Sequence, residues 1–394
     1  MTFNVALLSI EYPPFIYGGV GTFCYDLANK LSQNQIYTTV VTGKSKSITC
    51  EYKNNYLKII RLPLLNFPPD HIWFQLKNFG IIKYFLNDIN ILHCISHNMS
   101  FMCSYLKRKL EKPMVTSLHG QPLTDLQILL NSPFSTWAPG DFIFNILEYP
   151  LSELLFREAL NKSDRIITCS NSALNEIIKT YPKFNHKNIS VIYNAINFNK
   201  INDINVNSSQ NIKTNKYILV YYGRLYWRKG IVYLLYALLN LKEKLPQIEL
   251  RIFGKGPMEN LLNKMIKKLG LNNVVKMKGH VPYIELLRNI KMADVITLPS
   301  LYEAQSISML EAMALNKPIV AFDLPFASEC ITNYVNGLLA KPRDVKDLSN
   351  KIEELLINKE KRIKIGQNAY NYVKKNHNWD IQIEKYIDIY NDMA

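Results

Sequence analysis

The stretch from Leu298 to Pro318, LPSLYEAQSISMLEAMALNKP, constrains the fold more than any other part of the chain. A short apolar run from Asp294 to Leu298 ends at Pro299, and a loop then leads into a helix-forming segment. This order predicts a strand, a loop and a helix, which is the repeating unit of an open α/β sheet. In such a sheet the loop lies at the carboxyl end of the strand, where ligands bind and where a helix N-terminus attracts anions.

Two carboxylates accompany this predicted anion site. Glu303 lies in the loop and Glu311 lies in the helix that follows. Negative side chains beside an anion are unfavourable unless they bind something else, and sugar hydroxyls are suitable partners. The alternative is a capping box, in which Glu311 accepts a hydrogen bond from the backbone N–H of Ser308.

A second strand end carries two cations. The apolar run from Tyr217 to Tyr222 is followed by Gly223 and Arg224, and Lys229 stands just before another helix-forming segment. Two cations beside a glycine turn and a helix N-terminus are suited to binding a diphosphate. A solvated charged loop is the alternative interpretation.

Two strand ends in the first half are further candidates. Gly19 and Gly21 precede a predicted helix, where small residues let a phosphate or a substrate approach backbone N–H groups. An ordinary strand-to-helix turn would look the same. The predicted strand from Pro113 to Gly120 ends in His119, which is either a structural histidine or part of a site.

We expect no bound metal ion. His93 and His97 have the H-x3-H spacing of some helical metal sites, but the run from Asn90 to His97 is predicted to be a strand. A strand would place both imidazoles on one face, too far apart for a single ion. The chain also contains no Asp-x-Asp motif.

These motifs occur in an order that resembles a known family. The E-x7-E pattern of Glu303 and Glu311, followed by Lys317 and Pro318, is similar to the donor-site motif of the retaining glycosyltransferases of family 4, which have the GT-B fold. The G-R-L-x-x-x-K-G pattern that begins at Gly223 also resembles this family. The chain departs from the pattern at residues 304–306, Ala-Gln-Ser, where Gly-Phe-Gly is common.

The resemblance implies an α/β fold of the GT-B type, with two Rossmann-like doubly wound domains facing a central cleft. In the family pattern the histidine lies near the donor sugar, the first glutamate lies near the sugar ring and the second binds the ribose hydroxyls. The residues expected to act in catalysis are His119, Glu303, Arg224 and Lys229. Those expected to bind the donor are Gly19, Gly21, Gly223, Arg224, Lys229, Gly254, Val281, Gln305, Ser306, Ile307 and Glu311.

Length and composition are consistent with two globular domains. The chain has 394 residues, of which 48% are hydrophobic and 20% charged. We predict an N-terminal acceptor-binding Rossmann-like domain at residues 1–200, joined by a C-terminal helix at 378–394. A donor-binding domain is predicted at 212–377, because the Asn-, Ser- and Lys-rich stretch at 199–215 is typical of a linker. The segment 121–150, rich in Trp, Phe and Pro, is predicted to be an irregular loop that binds an acceptor, faces a membrane or covers the first core.

The six cysteines are scattered and the N-terminus lacks a basic leader, so a cytoplasmic protein is expected. Its net charge is +15, but the lysines are dispersed and the composition also suits an AT-rich genome, so no nucleic-acid partner is expected. Peripheral contact with the anionic inner face of a membrane is the secondary expectation, with Lys44, Lys46 and residues 107–109 as candidate patches.

The predicted activity is metal-independent transfer of a sugar, with retention, from a nucleotide diphosphate sugar to an acceptor hydroxyl. The acceptor class (glycan, lipid-linked or small molecule) and the base (UDP, GDP or ADP) stay open. One alternative is a GT-B nucleotide-sugar epimerase or hydrolase, which needs no acceptor. Another is a basic nucleic-acid-binding protein, which would bind DNA or RNA in a strongly salt-dependent way.

Overall fold

The structure, a computed structural model, describes residues 3–16, 18–45, 47–64, 69–133, 139–184, 188–202 and 215–394. It divides into two compact units: the first comprises Met1–Leu126, Ile146–Asn194 and Trp379–Ala394, and the second comprises Gln127–Asn145 and Ala195–Asn378. Lys46, residues 134–138 of the aromatic segment and residues 203–214 of the predicted linker lie outside the described residues.

The division differs from the predicted boundaries at two segments. Residues 127–145 and 195–200, which the sequence analysis assigned to the first domain, belong to the second unit. Packing explains this assignment, because the side chain of Leu129 is buried in the core of the second unit. The guanidinium of Arg343 also donates to the carbonyl oxygen of Asn131 at 3.2 Å.

The first unit contains an eight-stranded sheet. In chain order its strands are β1 (Asn4–Leu8), β2 (Tyr37–Ser45), β3 (Thr49–Asn54), β4 (Leu57–Pro63), β5 (Ile91–Cys94), β6 (Met114–Leu118), β7 (Arg165–Thr168) and β8 (Ile189–Val191). Across the sheet the order is β3-β4-β2-β1-β5-β6-β7-β8. Neighbouring strands are parallel except β3 and β4. Strand β3 was not predicted, because this edge strand is exposed along its whole length and has no buried apolar run.

Helices cover the connections between these strands. They are α1 (Gly19–Gln33), α2 (Asp70–Ile82), α3 (Ser100–Leu110), α4 (Pro122–Leu130), α5 (Pro139–Lys162) and α6 (Asn171–Thr180). The predicted irregular loop at 121–150 was wrong, since α4 and the first half of α5 occupy much of it. Pro150, at the end of the predicted loop, lies inside α5.

The C-terminal helix (Trp379–Asn391) packs within the first unit. Lys30 on α1 forms an ion pair with Asp380 at 2.6 Å. At the other end of the helix, the hydroxyl of Tyr390 lies 2.6 Å from Nδ1 of His93, whose Nε2 lies 2.8 Å from Oγ of Ser117. A buried polar group needs such partners, so this chain of contacts fixes the helix on β5 and β6.

The predicted strand that would hold both His93 and His97 was wrong in its length. Strand β5 ends at Cys94, and His97 lies in a 3-10 turn, where its Nε2 is 3.2 Å from Oγ of Ser152. Burial lowers the pKa of both imidazoles to about 3, with a further contribution from neighbouring histidines, so both are neutral at pH 7. They are structural histidines with separate partners.

The second unit contains a six-stranded sheet in which neighbouring strands are parallel. Its strands are β9 (Tyr217–Tyr222), β10 (Ile248–Phe253), β11 (Val275–Gly279), β12 (Val295–Leu298), β13 (Ile319–Phe322) and β14 (Leu338–Ala340). They lie in the order β11-β10-β9-β12-β13-β14. This is the doubly wound order of a Rossmann fold, in which the chain moves outward first on one side of β9 and then on the other.

The helices of the second unit, in chain order, are α7 (Phe198–Asn202), α8 (Ile231–Lys244), α9 (Glu259–Lys268), α10 (Tyr283–Met292), α11 (Ile307–Ala314), α12 (Pro325–Ser328), α13 (Val345–Ile357) and α14 (Lys359–Asn376). Helix α14 packs against α11 through Gly366, where an added Cβ would lie 2.2 Å from the carbonyl oxygen of Asn316. Among the described residues, no helix combines the length and apolar character needed to cross a bilayer.

This close approach gives a stability prediction. Gly366→Ala should lower the free energy of unfolding by about 1–3 kcal/mol, because the new methyl group must displace the turn after α11. Gln367→Ala, at the exposed neighbouring position of the same helix, is the matched control and should change it by no more than about 0.5 kcal/mol. Urea denaturation of both variants measures the difference, and equal midpoints would contradict the close contact.

Candidate functional site

The candidate site lies at the carboxyl edge of the second sheet. Strands β9 and β12 are parallel neighbours, with Leu219 opposite Val295. The loops that follow them begin at Gly223 and Pro299, and they leave the sheet at the point where the strand order reverses. This switch point is where open α/β sheets form their ligand crevice. The structure therefore brings Gly223, Arg224, Lys229 and Glu303 to one edge.

Backbone atoms approach each other unusually closely in these loops. A Cβ at Gly254 would lie 1.9 Å from the carbonyl oxygen of Gly223, and one at Gly230 would lie 1.9 Å from that of Pro299. Both glycines also have positive φ angles, of 130° and 67°. Only glycine meets both requirements, so these residues lock the turns after β9, β10 and β12 together. The amide of Leu301 completes the contact by donating to the carbonyl oxygen of Arg228 at 2.7 Å.

Lys229 and Glu303 form a largely buried ion pair across these two loops. Oγ of Ser300 donates to the same carboxylate oxygen, Glu303 Oε1, at 3.0 Å. Burial alone would raise the pKa of Glu303, but the charges of Lys229 and Arg228 and the two hydrogen bonds hold it below its usual value. Glu303 is consequently a carboxylate at neutral pH, with three polar groups arranged around it.

Arg224 presents its charge differently from Lys229. Its side chain is exposed, and its guanidinium lies 5.3 Å from the ring centroid of Tyr226. A guanidinium stacked on an aromatic face keeps its in-plane N–H groups directed outward, in the geometry that suits a phosphate. The stacking therefore orients a cation at the edge of the crevice.

Glu311 is buried on α11, where Oε1 accepts a hydrogen bond from the hydroxyl of Tyr283 at 2.8 Å. The capping-box alternative is wrong. The helix begins after Ser306, whose Oγ accepts from the amide of Met309 at 3.4 Å, so Glu311 lies too far into the helix to cap it. The hydroxyl of Tyr222 donates to the carbonyl oxygen of Ser308 and ties α11 to β9.

Four more of the residues predicted to bind the donor belong to the second unit. Gln305 and Ser306 are buried just before α11, and Ile307 is its first residue. The side chain of Gln305 reaches the thiol of Cys330. Val281 is partly buried in the loop between β11 and α10, against the core of the second unit.

The other three predicted residues, Gly19, Gly21 and His119, belong to the first unit. Gly19 and Gly21 form the first turn of α1, where the amide of Gly18 donates to Oε2 of Glu11 at 3.1 Å. Helix α1 and His119 meet through Phe23, whose ring centroid is 4.6 Å from that of the imidazole. Burial lowers the pKa of His119 to about 4, so the ring is neutral, and its buried Nε2 has no hydrogen-bond partner among the described residues.

Sequence reasoning missed three residues that shape this site. Ser300 and Arg228 act on Glu303, and Tyr283 binds Glu311. Arg228 and Ser300 lie within motifs that the sequence had already identified, so their positions could have indicated that they contribute to the site. Tyr283 precedes Glu311 by 28 residues on a separate helix, and only the fold reveals their contact.

A metal centre is not apparent in the part of the chain that the structure describes. No three His, Cys, Asp or Glu side chains there gather closely enough to hold an ion. Three basic side chains, Arg224, Arg228 and Lys229, lie in the loop after β9.

Two family models match the chain in sequence. The model described as Glycosyltransferase Family 4 matches residues 17–200, and the model described as Glycosyl transferases group 1 matches residues 203–372. An uncharacterized glycosyltransferase of Methanocaldococcus jannaschii is 27% identical over 98% of this chain and 97% of its own length. The glycogen synthase of Mycobacterium tuberculosis is 24% identical over 90% of this chain and 86% of its own.

Solved structures show the same fold. Sucrose-phosphate synthase from Thermosynechococcus elongatus superposes with a TM-score of 0.82 at 18% identity, over 99% of this chain and 98% of its own. HepE from Anabaena, in complex with UDP and glucose, gives a TM-score of 0.77 at 17% identity, over 98% and 99% of the two chains. The predicted GT-B fold is therefore confirmed. The chain is a GT-B glycosyltransferase, with a first half that belongs to glycosyltransferase family 4 and a second half that belongs to glycosyl transferases group 1.

Proposed function

We propose that this glycosyltransferase moves a sugar from a nucleoside diphosphate sugar to an acceptor hydroxyl, with retention of anomeric configuration and without a metal ion. The observation that carries the proposal is the convergence of cations and carboxylates at one switch point: Arg224 and Lys229 follow β9, and Glu303 follows β12. Cations suit the diphosphate and carboxylates suit hydroxyls. The complex of HepE with UDP and glucose supports a donor of this class.

The diphosphate is proposed to bind Arg224 and Lys229, beside the N-termini of α8 and α11. Charge develops on the diphosphate as the bond to the sugar breaks, so preorganised cations and helix dipoles lower the barrier. In our proposal these groups replace a divalent ion. Glu303, already ionised in its polar setting, faces the sugar ring, and Glu311 binds the ribose hydroxyls.

Retention is proposed to follow from attack on the face that the diphosphate leaves. The acceptor hydroxyl forms the new bond to the anomeric carbon, the bond from that carbon to the diphosphate oxygen breaks, and the acceptor's proton passes to the departing diphosphate. In this scheme no carboxylate acts as a nucleophile. His119, neutral because of its burial, offers Nε2 as a hydrogen-bonding group toward the sugar. Gly19 and Gly21 open the start of α1 to the substrate.

The acceptor is proposed to be a glycan, a lipid-linked sugar or a small molecule, and the enzyme is proposed to work in the cytoplasm with peripheral contact at the inner membrane face. The glycogen synthase among the relatives acts on a glycan, as its name states, which supports a carbohydrate acceptor. The base of the donor remains one of uracil, guanine and adenine. Thermal-shift measurements with UDP-, GDP- and ADP-sugars discriminate among them.

The transfer reaction gives the first functional prediction. With a matching donor and acceptor, nucleotide release should depend on the acceptor, continue unchanged in EDTA, and yield a product with the donor's anomeric configuration by NMR. Nucleotide release that does not depend on the acceptor would indicate an epimerase or hydrolase. Loss of activity in EDTA would reject metal independence. An inverted product would reject the same-face mechanism.

Binding of the nucleotide tests Glu311 and its neighbour. Glu311→Ala should raise the Kd for the nucleoside diphosphate about 10- to 100-fold, because it removes charge-assisted hydrogen bonds to the ribose. Tyr283→Phe should raise it about 3- to 10-fold with kcat unchanged, because the carboxylate loses the group that orients it. Glu285→Ala, at an exposed position on α10, is the matched control and should leave Kd unchanged in calorimetry. Tighter binding by Tyr283→Phe would mean that the tyrosine competes with the ligand.

The ion pair of Lys229 and Glu303 gives a pH-dependent prediction. The folded-state pKa of Glu303 is lowered, so its stabilising contribution is present above the usual pKa of 4.5 and is lost as pH falls through the lowered value. Lys229→Ala should therefore cost about 3 kcal/mol of unfolding free energy at pH 7 and less at pH values near and below 4. Urea denaturation across pH measures both.

The double variant Lys229→Met/Glu303→Gln separates folding from catalysis. It leaves no unpaired buried charge, so it should recover most of the stability lost in Lys229→Ala. Its transfer rate should nevertheless fall at least about 100-fold, because the cation is absent from the transition state. A double variant with undiminished transfer would remove both residues from the proposed site.

A further inference from the structure

Helix α2 in the first unit exposes a row of large apolar side chains. Trp73 is 39% exposed, Leu76 57% and Ile81 39%, and Tyr84 in the 3-10 turn after the helix is 68% exposed. At 3.6 residues per turn, Trp73, Leu76 and Tyr84 lie on the side of the helix away from the buried Asn78 and Ile82, and Ile81 lies at the edge of that side, next to the buried Phe74. Isolated exposed apolar residues are ordinary, but several large ones on the exposed side of one helix indicate an interaction surface.

Positive charges surround this row. Lys77 and Lys83 lie on α2 and in the turn, and no Asp or Glu occurs between residues 71 and 87. Helix α3 packs alongside through Phe79 and Tyr105, whose ring centroids are 5.1 Å apart. It adds the exposed Arg108 and Lys109 near the same end. None of these four cations forms an ion pair with a carboxylate in the described part of the chain. Lys107, in contrast, is paired with Asp164 at 2.6 Å.

We propose that this face, the α2 face (Trp73, Leu76, Lys77, Ile81, Lys83 and Tyr84, with Arg108 and Lys109), docks on the surface of an anionic lipid bilayer. The proposal deepens the peripheral membrane contact that is part of the proposed function. A tryptophan and aliphatic side chains beside lysines are the composition of helices that lie in the bilayer interface, where the apolar groups enter the acyl boundary and the cations meet lipid phosphates.

Charge selects this occupant over two others. A second copy of the chain would bring identical basic faces together, and like charges across an interface oppose association. Nucleic acid would satisfy the cations but would leave Leu76 and Ile81 without apolar partners. An anionic bilayer satisfies both parts of the α2 face at once.

The second unit offers a matched control surface. Helix α9 carries the exposed lysines Lys264, Lys267 and Lys268, but its apolar residues Leu262 and Ile266 are buried. It has a similar charge density without an exposed apolar row. If general positive charge caused binding, substitutions on both helices would weaken it. If the α2 face causes binding, substitutions on α9 would have little effect.

The experiment measures partition of the full chain onto vesicles, without donor or acceptor, so that its result does not depend on the donor pocket. We expect binding to phosphatidylcholine vesicles that contain phosphatidylglycerol, weakening with salt, and little binding to phosphatidylcholine alone. Lys77→Glu/Lys83→Glu should weaken partition at least about 25-fold, because each lysine near an anionic surface contributes roughly a fivefold factor. Lys267→Glu/Lys268→Glu should change it less than about twofold.

Trp73→Ser/Leu76→Ser tests the apolar part of the surface and should weaken partition at both low and high salt, with circular dichroism unchanged. Trp227 and Trp379 are buried, so in a Trp137→Phe background brominated lipids should quench Trp73. Equal loss in the α9 variant, or no quenching of Trp73, would overturn the proposal. So would a concentration-dependent dimer in ultracentrifugation that Trp73→Ser/Leu76→Ser abolishes without affecting vesicle binding.

Discussion

An ion pair between two loops organises the second unit around its site. Lys229 follows β9 and Glu303 follows β12, and the pair closes the switch point of the sheet with little access to water. The fold tolerates these two buried charges because they are opposite and paired, and because Ser300 donates a hydrogen bond to Glu303. The same arrangement lowers the pKa of Glu303, keeps it ionised and holds the cation of Lys229 at the carboxyl edge of the sheet.

The position of this pair depends on the backbone beneath it. The turns after β9 and β12 can approach only because Gly230 lies against Pro299, and the turn after β10 reaches the first only because Gly254 lies against Gly223. A Cβ at either glycine would lie 1.9 Å from a backbone carbonyl oxygen, so any side chain there would force the loops apart. The glycines that meet the conformational requirements of the main chain therefore lie beside the residues that carry the charges, as Gly230 does beside Lys229.

Much of the fold could be predicted from sequence because parallel strands are buried on both faces and appear as apolar runs, as from Tyr217 to Tyr222. Strand β3 could not, since it is exposed, and the first half of α5 could not, since its segment is rich in Trp, Phe and Pro and was predicted to be an irregular loop. Within the site, the turn residues Arg224, Lys229 and Glu303 stand in local motifs at strand ends. The contact of Tyr283 with Glu311 joins two helices, and no spacing along the chain encodes it. The assignment of Gln127–Asn145 to the second unit also depends on tertiary packing, which local composition does not reveal.

The C-terminal helix has a consequence for how the molecule is made. Its residues complete the first unit through Lys30, His93 and Phe23, yet they follow the whole of the second unit in the sequence. During synthesis the first unit leaves the ribosome with the surface around His93 uncovered, and it stays incomplete while nearly two hundred further residues, 195–378, are added. Domains usually fold in the order of their synthesis. Here the N-terminal unit is the last to be finished, so translation must reach Tyr390 before Nδ1 of His93 has its hydrogen-bond partner, whereas the partner of Nε2, Ser117, is made much earlier.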